Sequence, residues 1–484
     1  MSHFIIIGSG PGGTSAALKI LEGGHRVTIL ERGGFLPKEE DNRSSMAVYG
    51  DKKYRTRERW QDHGEGGEFQ PWMHYHVGGN AKLYGAALYR FRPADFEEIK
   101  YPEGISPAWP VDYAEMAPFY DDAEELYTVH GNREEDPTEP TERPFPFPAV
   151  EDEEFVAKLK RDLPIETHSL PLGVSLEKQN EWELRLDKFD AYPDPSLGKS
   201  DPESRVLHIL RGFGDKFELR TEALVDSFEF TVSGDVRALK LSSGERLTAD
   251  CYVLAAGAIN SAKILLASGL GDENQLIGAN YMAHLSSAGI AVFDRPLDLS
   301  FAKTFASNEW YRPDEKVPVL NGSIQTQGKW DAVQYGLESW TEKLGEPELL
   351  ASRAMEFFYM TEDLPLTENR ISLENGQTGV SRKLTNLGLH QDLISSFTGA
   401  LSATPYFRGF SSQMLPIDWC THQCGTLVYG EDESSSVLDV NCRLRTANNL
   451  YVTDSSFFPS SSALNPTLTI VANALRVGGI LAGI

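Results

Sequence analysis

The sequence predicts an α/β fold built on a Rossmann-like dinucleotide-binding domain that a second domain interrupts. Three observations predict it. An apolar stretch, Phe4-Ile5-Ile6-Ile7, runs directly into Gly8-Ser9-Gly10-Pro11-Gly12-Gly13. A small-residue helical stretch and a second apolar run follow, and that run closes on Glu31. The same kind of strand returns far along the chain at Cys251-Tyr252-Val253-Leu254-Ala255-Ala256-Gly257, which places separated stretches in one domain.

Each element has a physical reason. A short β-branched run without alternation reads as a parallel strand buried on both faces. The glycines match G-x-G-x-x-G. Gly8 permits the tight turn, Gly10 lets backbone N–H groups approach a pyrophosphate, and Gly13 lets the helix pack close to the sheet. Thr14 to Leu21 reads as that helix, ended by Gly23-Gly24. Its N-terminus places partial positive charge where phosphates would sit. His25 to Leu30 is the second strand. Glu31, 18 residues after Gly13, is placed to accept hydrogen bonds from a ribose diol. An acid there fits FAD or NAD and disfavours a 2′-phosphate. Ser9, Pro11 and Gly12 within the turn, and Arg32 after the acid, complete the candidate cofactor set.

Composition excludes several classes. A length of 484 residues suggests roughly three domain-sized units. The 45 basic against 71 acidic residues give a formal charge of −26, which argues against nucleic acid or anionic lipid as a partner. Four cysteines form no disulfide framework and are expected to be reduced. No run approaches the ~18 apolar residues of a spanning helix, and Met1-Ser2-His3 leads into the first strand without a basic leader. A cytoplasmic protein free of the membrane is expected.

Residues 60–95 are rich in glycine and aromatics, and Val77-Gly78-Gly79-Asn80 offers backbone that can approach a flat ring. Asp112 to Val129 reads as one helix interrupted at Pro118. The acidic, proline-rich run from Glu134 to Pro148 reads as an irregular solvated loop, most simply a wet surface, with a lid as the alternative. Residues 217–257 alternate as a β-meander would, and Ile259 to Ser268 is helical. Residues 290–430 show no clear repeat. Asn449 to Asp454 reads as a strand, followed by a serine-rich turn and a helix opened by Asn465-Pro466. Asn473 and Arg476 mark that helix as core rather than membrane anchor.

Among eleven histidines, His422 stands out by context, in Cys420-Thr421-His422-Gln423-Cys424-Gly425-Thr426. Taken alone, such a histidine is more often structural than catalytic. Cys420 and Cys424 lack a fourth ligand and a second paired cluster, so no metal is expected.

At this point the sequence resembles the glucose–methanol–choline (GMC) family of flavin oxidoreductases. The resemblance covers nearly the whole chain. It rests on Gly8 to Gly13 with Glu31-Arg32-Gly33, Val77-Gly78-Gly79, Ala255-Ala256-Gly257-Ala258 and Gly278-Ala279-Asn280-Tyr281-Met282-Ala283-His284. It also includes His422-Gln423-Cys424-Gly425-Thr426, Val452 to Pro459, and Asn465-Pro466-Thr467-Leu468-Thr469. Gly104 to Pro110 and Asp136 to Pro140 are similar to the bacterial pyranose-oxidase-like and glycoside 3-oxidase branch.

The resemblance implies a GMC-type two-domain fold: a discontinuous Rossmann-like FAD-binding domain over 1–99, 203–289 and 432–484, with an interleaved α+β substrate-binding domain over 100–202 and 290–431. It implies oxidation of a secondary ring hydroxyl of a sugar or glycoside to a ketone, with His422 as base, Asn465 as its partner, and hydride transfer to flavin N5 of FAD. A neutral imidazole suits that role near neutrality. It also implies cofactor contacts at Gly79, Asn80, Val225, Ala256, Gly257, Asp454, Asn465, Pro466 and Thr467. For Val225 and Gly257, packing and turn geometry are the plain alternative. Leu83 stands where fungal pyranose oxidases carry a flavin-linking histidine, so FAD is expected to be non-covalent. Lys188 to Pro195 stands where some aminosugar dehydrogenases carry a cysteine cluster, which tilts the expectation to a plain sugar or glycoside. An aminosugar or other alcohol dehydrogenase, a redox-neutral flavin lyase, a flavin binder without turnover and a nicotinamide dehydrogenase are the alternatives. The residues leave oxygen and quinone open as electron acceptors.

Overall fold

The computed structural model describes every residue except 142, 178–179, 271–273, 313–318, 321, 420 and 484. Its organising element is a five-stranded parallel sheet. The strands lie in the order Phe217–Arg220, Arg26–Leu30, His3–Ile7, Cys251–Leu254, Leu450–Val452. Register pairs Phe4 with Val27 on one side and with Cys251 on the other. Ile6, Ile29, Val253 and Leu450 are completely buried, as strands covered on both faces require.

The first helix, Pro11–Glu22, starts directly from the glycine turn with Gly10 as its N-cap. It packs against the C-terminal helix, Thr467–Ala482, whose N-cap is Pro466. Arg476 within that helix is buried, donating to Asn473 Oδ1 (3.0 Å) and to the Val440 carbonyl (2.8 Å). No helix among the described residues is long and apolar enough to cross a membrane.

Three local expectations are corrected. Phe217–Arg220 is not part of the meander; it pairs in parallel with Arg26–Leu30 and forms the sheet edge. Only Val225–Phe230, Val236–Leu241 and Arg246–Leu247 form the antiparallel meander. The helix Tyr113–Leu126 runs through Pro118 without a break, capped by Asp112 accepting from the Glu115 amide (2.8 Å).

The acidic run is the third correction: Glu134 and Glu135 are exposed, but Asp136 and Glu139 are not a wet surface and join a buried ion network with Glu124 of the preceding helix. Glu124 takes Arg90 on both oxygens (2.6 Å each) and also Arg133 (2.5 Å). Arg133 in turn holds Glu139, and Arg92 holds Asp136 (2.9 Å) and Glu139 (3.1 Å). The side chains of Arg92, Arg133, Asp136 and Glu139 are each at most 5 % exposed, so these residues form a core strut. Charges taken from water this completely persist only when paired.

A second, six-stranded sheet runs Phe407–Met414, Leu285–Phe293, Ala354–Thr361, Gly322–Thr326, Phe305–Ser307, His168–Ser169, antiparallel throughout. The helix Leu387–Ser402 covers it, with Phe397 packed on Phe357 and Tyr359. One cross-strand row on a face of this sheet supplies Gln325, Phe358 and Gln413 to the cavity.

Removing one partner from the buried ion network leaves uncompensated charge. Glu124→Ala is therefore expected to destabilise the fold by about 3–5 kcal/mol, read as a lowered denaturant midpoint; an unchanged midpoint would contradict the strut.

Candidate active site

The two sheets enclose one large cavity of about 630 Å³, a volume in the range of cofactor and ligand sites. One end is built by the glycine turn. A β-carbon on Gly12 would lie 2.0 Å from the Thr453 carbonyl oxygen, and one on Gly8 2.3 Å from that of Ala255. Glycine here lets backbone meet backbone. Gly10 is different: a β-carbon there would meet nothing within 4 Å. Its open side faces the cavity, which is the cradle a pyrophosphate needs.

Ser9 and Gly13 stand behind this wall. Ser9 Oγ donates to Glu31 Oε2 (2.6 Å) and accepts from the Gly78 amide (3.1 Å). Gly13 packs on the Gly8 carbonyl. Glu31 lines the cavity but also accepts from the amides of Ser9 (3.1 Å) and Gly33 (3.0 Å), and burial raises its pKa. Arg32 lies over the Tyr75 ring (3.5 Å) and pairs with Glu58 (2.6 Å). Gly79 and Asn80 line the cavity at its middle. The Asn80 side chain accepts from the His74 amide (2.9 Å), so it holds the turn and leaves backbone exposed.

Val225, Ala256 and Gly257 line the same end as Glu31. Asp454 also reaches the wall, but its oxygens are taken. Oδ2 accepts from the Gly257 amide (2.9 Å) and from Ser261, and Oδ1 from the Ser456 amide (2.9 Å) and hydroxyl. Burial raises its pKa. Asp454 thus clamps the helix start at Ala258 to the turn at Ser455. Leu83 lines the cavity within a small apolar cluster with Leu36, Val48, Tyr54 and Tyr192.

The other end gathers the polar chemistry. His422 has a left-handed backbone (φ 54°), a costly conformation for a residue with a β-carbon and one concentrated at functional sites. Asn465 Nδ2 lies 3.4 Å from His422 Nε2, so the two residues expected to pair, 43 apart in sequence, meet. Asn465 Oδ1 and Gln325 Oε1 are buried without a partner among the described residues. Pro466 and Thr467 continue the wall as the C-terminal helix opens toward the cavity with its positive end. Burial, with His284 and Lys303 adding to it, holds His422 well below the ordinary histidine range, so the ring is neutral. Cys424 is buried with its thiol pKa pushed up; Cys420, also considered as a ligand, lies outside the described residues.

Sequence reasoning missed most of the wall beyond His422. Trp72 and Trp419 stack at 4.3 Å and 7°. Trp330, Trp340, Tyr49 and Phe358 add apolar faces, and Lys303 pairs with Asp190 (2.5 Å). These come from segments distant in sequence, and no local motif announces them.

The glycine-cradled end of the parallel sheet and the buried histidine thus share one cavity. Two family models, both described as GMC oxidoreductase, match residues 233–286 and 413–474. By these matches the chain is similar to the GMC oxidoreductases, FAD-dependent enzymes that act on CH–OH groups. It is 27% identical to a 6‴-hydroxyparomomycin C oxidase of Streptomyces lividus, over 99% of this chain and 90% of that protein. It is 26% identical to a paromamine 6′-oxidase of Streptomyces fradiae, over 99% and 91%. Its fold is similar to that of a pyridoxine 4-oxidase from Mesorbium loti, with TM-score 0.69 and 17% identity over 99% and 98% of the two chains.

The two glycines at the cradle separate binding from folding. Gly10→Ala is expected to leave the melting temperature of the FAD-free protein within a few degrees and to weaken FAD binding by about 10-fold or more. Gly12→Ala is expected to destabilise the fold itself. Equal FAD affinity in Gly10→Ala and wild type, by titration, would contradict the cradle.

Proposed function

We propose that the protein oxidises a ring hydroxyl of a sugar or glycoside to a ketone, with His422 as general base and Asn465 as its partner. The observation that carries this reading is the neutral His422 ring, whose Nε2 faces Asn465 at the cavity wall beside unpartnered Gln325 Oε1 and Asn465 Oδ1. Polar atoms converging among indole and phenyl faces suit a polyhydroxylated ring, which presents hydroxyls at its edge and C–H groups on its faces.

FAD would lie with its phosphates at Gly10 and its ring toward Gly79 and Thr467, and when bound it supplies the hydride acceptor. The chain's own residues do the rest. Asn465 and Gln325 orient the hydroxyl; its proton moves to His422 Nε2; the aromatic wall excludes water. Oxygen or a quinone is the proposed final acceptor. Stretches 1–99, 203–289 and 432–484 form the proposed cofactor domain, and 100–202 with 290–431 the substrate domain. A location in the cytoplasm remains part of the proposal.

An aminosugar is the second reading, and Glu338 favours it. This carboxylate lines the cavity, accepts from Trp340 Nε1 (3.1 Å) and has no cation partner among the described residues. Burial raises its pKa, and Asp418 adds to the shift. The two aminoglycoside-named relatives are consistent with it.

Anaerobic mixing with a panel of sugars, glycosides and aminosugars tests the first reading, and bleaching of the flavin absorbance is expected with at least one class. A redox-neutral lyase would leave the flavin oxidised. His422→Ala is expected to retain FAD and to slow bleaching by about 100-fold or more; reduction at the wild-type rate would reject His422 as base. If an aminosugar is the substrate, Glu338→Gln lowers its kcat/KM relative to the neutral analogue by about 10-fold, some 1.4 kcal/mol. Acid precipitation is expected to leave the yellow colour in the supernatant, since Leu83 cannot bond to flavin.

A further inference from the structure

We infer that His284 is a positioning residue that fixes the tautomer of His422, leaving Nε2 bare toward the cavity. The inference rests on the reading of His422 as base.

The hydrogen bonds allow one proton arrangement. His284 Nε2 lies 3.0 Å from the Ser461 carbonyl oxygen. A carbonyl only accepts, so this nitrogen carries hydrogen. A neutral ring has one N–H, and burial brings His284 down to about 4, so the ring is neutral across the physiological range. His284 Nδ1 is therefore an acceptor. It faces His422 Nδ1 at 3.0 Å, so His422 Nδ1 must donate. His422 Nε2 is left with its lone pair, and the donor amide of Asn465 points at it from 3.4 Å. The opposite tautomer would set two lone pairs against each other at Nδ1 and two N–H groups against each other at Nε2.

The surrounding chain holds this order. His284 is 3 % exposed and directly precedes the inner strand Leu285–Phe293, second from the sheet edge. Its rings meet His422 at 4.9 Å and 70°. Arg382 binds the carbonyls of Ala283 (2.5 Å) and His284 (3.2 Å) and pairs with Asp363 (3.0 Å). Asp363 is tied to Ser461, whose hydroxyl donates to the Asp363 carbonyl (3.0 Å). One short turn thus carries both ends of the chain: Ser461 anchors His284, and Asn465 meets His422. When His422 takes a proton at Nε2, His284 Nδ1 keeps accepting from its other nitrogen, so the ring does not rotate.

The test combines a spectroscopic reading with kinetics on FAD-loaded enzyme. In wild type with ¹⁵N-labelled histidine and no substrate, His422 is expected as the Nδ1–H tautomer, assigned by loss of its signals in His422→Asn. In His284→Phe that signature is expected to mix or invert, and the flavin-reduction rate constant to fall about 100-fold at little-changed KM. His284→Gln, which keeps an acceptor and a donor, is expected to recover the rate to within about 10-fold. An Nε2–H His422 in wild type, or wild-type reduction by folded His284→Phe, would overturn the inference. The tautomer is read without substrate. An enzyme that no alcohol bleaches therefore refutes the proposed function and leaves this measurement standing.

Discussion

Backbone pressed on backbone at the glycine turn decides where everything else sits. Gly8 closes on Ala255 and Gly12 on Thr453, so the ends of three parallel strands, remote in sequence, reach one point. A single methyl at Gly12 would fall 2.0 Å from a carbonyl oxygen, well inside contact distance. Such packing tolerates no side chain and little relaxation. The same contact leaves Gly10 alone facing open space. The cradle end of the cavity is therefore a product of the parallel sheet's assembly.

The buried carboxylates extend that constraint outward. Glu31 ties the turn to Gly33 and, through Ser9, to the Gly78 segment. Asp454 ties the end of one strand crossing to the start of the next helix. Each accepts backbone amides that would otherwise be buried without partners. Burial alone would raise the pKa of both, and these donors oppose it by favouring the ionised form. The acids at the cofactor end thus act first on their own chain. Glu31 remains at the cavity surface, where a diol can reach it.

Legibility followed the range of the causes. Phe4–Ile7, the glycine turn, the first helix and Glu31 are consecutive, and their periodicity and turn chemistry announce them. Phe217–Arg220 was misread because its alternation suits either a meander or a sheet edge, and only its parallel partner Arg26–Leu30 decides. Asp136 and Glu139 read as solvated because their counterion Arg92 lies 44 residues upstream of Asp136. His422 and Asn465 were singled out by motif context and a resemblance, and the structure brings them within 3.4 Å. His284 stood in a quoted motif with no role assigned. Its role depends on a contact across 138 residues and on which nitrogen faces a carbonyl, and a sequence records neither.

A neutral histidine behind His422 has an energetic logic that an aspartate would not share. A carboxylate buried there would carry a full negative charge at rest, and its desolvation would need a cation in return. The charged side chain that acts on His422, Lys303, pushes its pKa further down. His284 imposes orientation without introducing charge. If His422 is the proposed base, it is neutral at rest and weak, because a buried imidazolium with no carboxylate behind it is costly. Such a ring gains a proton only while negative charge develops beside it, and it gives the proton up once that charge is gone. Geometry fixed by a neutral partner therefore suits a base that holds its proton transiently.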